Sequence, residues 1–261
     1  MTTTIALAGK GGVGKTTVAG LIIKYLVNIQ HGPVLAIDAD PSSNLNMVLG
    51  LDLEWTVGDI REGLLSKVKN SLTAGGAAMG GLPGGISKRE YLDFEIRSSL
   101  AEGKQYDLIA MGRSEGAGCY CAVNHNLREV IDDISKNYKF VVIDNEAGME
   151  HLSRRTTRDV QHLIIVTDPS QRGVVAAERI ADFRKEFDIN IENVYLVVNR
   201  LVNGIPEPIQ NRIDQLGIPL LGAIPSSEEI MELDSRGLPL IEVGEDTVVY
   251  KKVSEMMCSI L

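Results

Sequence analysis

Cysteine is scarce in this 261-residue chain, which has Cys119, Cys121 and Cys258 and no others. An odd and small number of thiols excludes a disulfide framework and makes metal binding the cysteine chemistry to weigh. Runs of basic residues are missing as well. No stretch of Lys and Arg exceeds two residues and the formal net charge is -9, a balance that repels a polyphosphate backbone and argues against nucleic acid as a partner. Long apolar runs are also absent: those at 138–143 and 162–167 are strand-sized, far below the ~20 residues that span a bilayer. The first eight residues lack a charged leader region and run straight into a strand pattern, so neither a secretory signal nor a membrane partner is expected, and the cytoplasm is the expected place. What the chain does have is 44% apolar and 23% charged residues, enough to bury one large core in a single domain over residues 1–261.

Short runs rich in Val, Ile and Leu at 5–8, 34–37, 107–111, 140–143, 163–166, 195–198 and 220–224 lack the alternation of half-exposed strands and read as buried parallel strands. Helical patterns at 15–28, 127–136, 174–186, 206–216 and from 246 onward fall between most of them. Strand alternating with helix predicts an α/β fold with a doubly wound, mainly parallel sheet flanked by helices. Residues 71–86 break the pattern with six glycines and almost no charge, so a mobile Gly-rich insertion is expected at about 71–90.

Gly9, Lys10, Gly11, Gly12, Val13, Gly14, Lys15, Thr16 and Thr17 follow one predicted strand and open a helix, the context a phosphate-binding loop requires. Glycines let successive backbone N–H groups converge on ATP phosphates, and the helix N-terminus adds partial positive charge. Lys15 is placed to reach the β and γ oxygens, and the Thr16 hydroxyl to meet Mg²⁺. The second lysine, Lys10, resembles the deviant Walker A motif of the MinD, ParA, nitrogenase iron protein and ArsA group. That resemblance implies an ATPase in which Lys10 reaches across a homodimer to the other copy's nucleotide. Asp38-Ala39-Asp40-Pro41 resembles the group's switch I, implying that Asp40 orients the attacking water and that Asp38 belongs to the Mg²⁺ shell. Asp144, ending an apolar run, looks like the Walker B carboxylate, and Asn145-Glu146-Ala147-Gly148 reads as switch II. Asn199, with Arg200 after it, and Pro225 match the positions at which related ATPases hold adenine.

Cys119 and Cys121 follow a Gly-rich turn after the 107–111 strand. In an extended segment residues two apart project to one side, ~6.5 Å apart at Cα, so two thiols can converge on one ion. Two thiolates are half of a tetrahedral site, and a second chain across a twofold axis would supply the rest for Zn²⁺ or another soft divalent ion. Here the resemblance sharpens. The deviant Walker A loop, the Asp38-Ala39-Asp40-Pro41 switch, the stretch from Gly112 through Arg113, Ser114, Glu115 and Gly116 to Cys121, and Asp144 with Glu146, Ala147, Gly148, Glu150 and His151 look like the CooC/AcsF family. That likeness covers nearly the whole chain. It implies a metallochaperone that binds Ni²⁺ or Zn²⁺ between two subunits through Cys119 and Cys121 and assists nickel insertion into carbon monoxide dehydrogenase or acetyl-CoA synthase. His125 is near enough in sequence to approach the same ion, but a solvated position is its preferred reading. Cys258, spaced with Val253, Met256, Met257 and Ile260, is expected in the core. Two rivals share the ATPase: a MinD- or ParA-like spatial regulator, which gains nothing from a C-terminal segment offering only Lys251 and Lys252 against several acids, and an iron-protein-like electron donor, whose cluster cysteines lie far apart in the chain.

Overall fold

The computed structural model describes residues 2–73, 85–113, 121–146, 159–183 and 190–261, with the side chains of 69–73, 121–124 and 183 outside the description. Cys119 and the middle of the Gly-rich insertion lie outside these residues, as does the Cys121 side chain.

The elements run β1 (Thr3–Gly9), α1 (Lys15–Asn28), β2 (Val34–Asp38), α2 (Leu45–Leu49), α3 (Val57–Thr73), α4 (Lys88–Ser98), β3 (Ala101–Glu102), β4 (Tyr106–Ala110), α5 (Cys121–Ser135), β5 (Phe140–Asp144), β6 (Asp159–Thr167), α6 (Gln171–Phe183), β7 (Asn190–Leu201), α7 (Glu207–Gln215), β8 (Leu220–Pro225), α8 (Glu228–Ser235), a 3₁₀ turn (Leu240–Glu242) and α9 (Val248–Ile260). One eight-stranded sheet has the order β3-β4-β2-β5-β1-β6-β7-β8. Every pairing is parallel except that of the two-residue β3 with β4. The doubly wound α/β expectation therefore holds.

Alternate residues of each strand feed two cores. Ile5 and Leu7 face α1, α2 and α9, while Ala6 and Ala8 face the layer containing α3, α4, α5, α6 and α7. Both faces are buried, which is why the strands read as unbroken apolar runs. β6 and β7 extend beyond their apolar centres because polar ends pair through side chains: Asn190 Nδ2 donates to Asp159 Oδ1 at 3.2 Å and Gln161 Nε2 to Glu192 Oε1 at 3.2 Å. β8 forms the far edge, shifts register twice against β7 and ends at Pro225.

Two sequence expectations change. The outer parts of the Gly-rich insertion are helical, since residues 71–73 end α3 and Lys88 opens α4 behind a capping box in which Ser87 and Glu90 satisfy each other's backbone N–H. Cys258 is exposed, not in the core. The buried stripe of α9 is Val249, Val253, Met256 and Met257, and the residue after Met257 turns about 100° away from it. That stripe packs on α1 and β8, so the helix keeps no free apolar face. Among the described residues no helix is long and apolar enough to cross a membrane.

Candidate nucleotide site

The parallel strands deliver their loops to one end of the sheet, where open α/β sheets bind ligands. β1 delivers the glycine loop, and α1 begins at Lys15 with Gly14 as its N-cap at φ 90°. A side chain on Gly14 would be strained by that φ and would have its Cβ 2.5 Å from Asn199 Nδ2, so only glycine fits. Asn199 is buried and donates Nδ2 to the Val13 carbonyl at 2.9 Å. Its amide thus braces the phosphate loop from β7, a contact that sequence spacing did not reveal. Arg200, exposed and in the left-handed region at φ 61°, comes next, and Pro225 is close by through its register with Leu201. The three residues expected to meet the base are therefore neighbours.

Lys15 is buried, and its Nζ donates to the Lys10 carbonyl at 3.3 Å. Burial lowers its pKa, opposed by the negative charges of Asp144, Asp40 and Glu146. Lys10 itself is exposed, as are Gly11 and Gly12, whereas Val13 is buried in the core beneath the loop and Thr17 is half-buried. Asp144 ends β5 and stands in register with both Leu7 and Asp38. Desolvation pushes its carboxyl up to about 7, against a stabilising hydrogen bond from the Thr16 side chain. Its Oδ1 is buried with no hydrogen-bond partner.

An orphaned carboxylate oxygen beside a threonine hydroxyl, under a loop built for phosphates, is the donor set that Mg²⁺ with a polyphosphate would complete. No group of three or more His, Cys, Asp or Glu among the described residues is arranged to hold an ion, so the protein's share of such a site is small and phosphate oxygens and water would supply the rest. The residues present fit MgATP.

Asp38 is pushed up to about 6 by desolvation. Both its oxygens accept backbone N–H groups, Oδ1 from Asp40 at 3.0 Å and Oδ2 from Leu45 at 2.9 Å. It therefore ties the turn between β2 and α2. Asp40, half-buried, closes the turn with Oδ1 accepting from the Ser42 N–H at 2.8 Å and the Ser42 hydroxyl at 2.6 Å. Asn145 at the start of the switch II sequence donates Nδ2 to the Leu7 carbonyl at 2.7 Å, binding that segment to the strand that leads into the glycine loop. Sequence reading had given the Asn145 side chain no part. His125 is solvated and pairs with Glu129 at 3.3 Å.

A glycine loop between a central strand and its helix, with a buried lysine, a threonine and a strand-end aspartate converging on it, defines a P-loop nucleotide-binding protein. The chain belongs to the family described as the CobQ/CobB/MinD/ParA nucleotide binding domain, whose match runs over residues 4–240. Over 252 residues it is 46% identical to an uncharacterised ATP-binding protein of Methanocaldococcus jannaschii, spanning 97% of this chain and 96% of that one. It is 31% identical over 244 residues to the carbon monoxide dehydrogenase accessory protein CooC of Rhodospirillum rubrum, covering 92% of this chain and 90% of CooC. Among solved structures, MinD of Pyrococcus horikoshii complexed with Mg-ADP is similar in fold, with a TM-score of 0.66 and 21% identity over 98% of this chain and 94% of the other.

Proposed function

We propose that this protein is an ATP-hydrolysing metallochaperone that pairs two copies on binding ATP, holds Ni²⁺ or Zn²⁺ between them on Cys119 and Cys121, and assists nickel insertion into carbon monoxide dehydrogenase or acetyl-CoA synthase. The observation that carries this reading is the 31% identity to CooC across nine-tenths of both chains, combined with a Cys-x-Cys pair in the sequence that follows β4.

In this reading Lys15 and the loop amides from Gly11 to Thr17 bind the ATP phosphates. Thr16 and Asp144 face Mg²⁺, which when bound neutralises charge on the phosphoryl oxygens. Asp38 adds negative charge nearby while it positions Asp40. Asp40 orients the water that attacks the γ-phosphorus; the bond to the bridging oxygen breaks, ADP leaves with that electron pair, and the water's proton passes to the phosphate formed and on to solvent. Lys10 reaches the nucleotide of the second copy, and Asn199, Arg200 and Pro225 surround the base. Four thiolates from two copies complete a tetrahedral site that neither copy completes alone. The buried stripe of α9 speaks against a MinD-like membrane anchor at this helix, because its apolar face is already used.

The test is a nickel and zinc titration of the purified protein with and without MgATP, reading ions per chain and particle mass together. The expected result is one ion per two chains, with MgATP favouring the pair. Binding by a Cys119→Ser, Cys121→Ser double variant equal to the parent's would remove the metal role. Phosphate release from Lys15→Ala at the parent's rate would remove the ATPase.

A further inference from the structure

We infer that the first turn of α3 and the exit of β4 form a mechanical coupling that carries the state of the Asp40 turn to the segment bearing the cysteines, with Gly58 and Gly112 as its contact points. The inference rests on the proposed function for what lies at its two ends, and the structure supplies the linkage between them.

Asp38 is the hub. Its carboxylate holds Asp40 and Leu45, the two ends of the turn expected to respond to the γ-phosphate. Its backbone carbonyl accepts the N–H of Met111, the first residue beyond β4, at 2.8 Å. The Met111 carbonyl in turn accepts the N–H of Gly58 in the first turn of α3 at 3.0 Å. These bonds make one continuous path from the Asp40 turn to the start of the thiol segment.

The path is locked by close contact at its two glycines, Gly58 against backbone and Gly112 against the Thr56 side chain. A Cβ on Gly58 would lie 2.3 Å from the Arg113 carbonyl oxygen, and one on Gly112 would lie 2.3 Å from the Thr56 hydroxyl. Thr56 is itself fixed, because its N–H and hydroxyl both donate to Asp59 Oδ2, at 2.9 and 2.7 Å, while the Asp59 N–H donates back to the hydroxyl at 3.2 Å. Groups packed this tightly cannot slide past one another, so a displacement of one is passed to the next. The chain also joins them: the Asp40 turn leads into α2, and α2 leads through residues 50–56 into α3. Trp55, the single tryptophan of the chain and 60% exposed, is one residue from the lock.

Trp55 emission therefore reports the coupling directly. MgATP, or MgADP with a non-hydrolysable comparison, is expected to change that emission in the parent. In Gly58→Ala the added methyl meets a backbone oxygen and separates α3 from the β4 exit, so most of the change disappears while nucleotide affinity is kept. Gly63→Ala, on the same helix with open space at its Cβ, retains the parent response. In a metal arm, the parent's zinc affinity differs by about fivefold or more between the nucleotide-free and MgATP states, and Gly58→Ala brings the ratio close to unity.

Full Trp55 response in Gly58→Ala overturns the inference. So does a parent that binds nucleotide with no change in Trp55 emission and none in amide exchange at Gly58 and Met111. If Gly58→Ala does not fold, amide exchange in the parent decides, because both amides must respond to nucleotide together. A parent that binds nucleotide and shows the coupled response but takes up no zinc or nickel leaves the coupling standing and removes the cargo reading instead.

Discussion

At the C-terminal end of the sheet, Lys15, Asp38, Asp144, Asn145, Thr167 and Asn199 are buried together, whereas among the described residues the buried polar groups of the N-terminal end are Thr4 and His162. The difference lies in how each end treats charge. Burial raises Asp38 to about 6 and Asp144 to about 7, and leaves Asp144 Oδ1 without a partner. At the other end burial lowers the pKa of His162, disfavouring its charged form, and the ring lies tilted against Tyr195 with centroids 6.0 Å apart. One end buries carboxylates whose charge a bound cation would offset; the other buries a ring that loses its charge instead and leaves Nδ1 without a partner. Carboxylates with raised pKa values gather where binding a cation can repay their burial.

The comparison breaks most visibly with Lys15→Ala. Nucleotide-dependent phosphate release should fall by roughly a hundredfold or more, the scale of removing an aimed charge from a developing phosphoryl anion. Phosphate release and equilibrium nucleotide binding, measured together, check it. Asp144→Asn sharpens the contrast by moving function and stability in opposite directions. The nucleotide-free variant should be about 1 kcal/mol more stable at pH 8, where the parent's carboxylate is charged, and should lose most of the stabilisation that MgADP gives the parent. Thermal melts with and without MgADP read both effects.

Asn199→Ala removes the brace on Val13 and should weaken nucleotide binding by about tenfold, in line with roughly 1–2 kcal/mol for a buried hydrogen bond. A nucleotide titration decides. The smallest effect is expected at the other end of the sheet. Because the folded pKa of His162 lies below 6.5, the unfolded chain takes up its proton first, and stability falls as pH drops below that value. His162→Gln should flatten this part of the stability curve, measured by urea midpoints between pH 7 and 5, and should leave nucleotide binding untouched.

Much of this was readable from residue order. The seven long strands and the phosphate loop followed from apolar runs and glycine spacing, because a sheet buried on both faces needs continuous hydrophobics. α3 was not foreseen, although Val57, Ile60, Leu64 and Val68 form a helical stripe; only its last residues, 71–73, fell within the stretch read as a Gly-rich loop. β3 is two residues long and owes its existence to β4 alongside. Within the site, Lys15, Thr16 and Asp144 were legible from their motif. The Asn199 and Asn145 braces were not, since each depends on a backbone carbonyl brought near from more than a hundred residues away. Cys258 was misplaced because a helical repeat of apolar neighbours does not fix which side of the stripe a given residue falls on.

The sheet's two margins narrow how copies of this chain can associate. One margin is a pair of residues running against its neighbour, and the other is a twice-shifted strand finishing in a proline, which has no amide hydrogen to offer. Neither presents a long straight ladder onto which another sheet could zip. Two such sheets are thereby discouraged from joining rim to rim, so any pairing of copies has to use the loops or the helical faces instead.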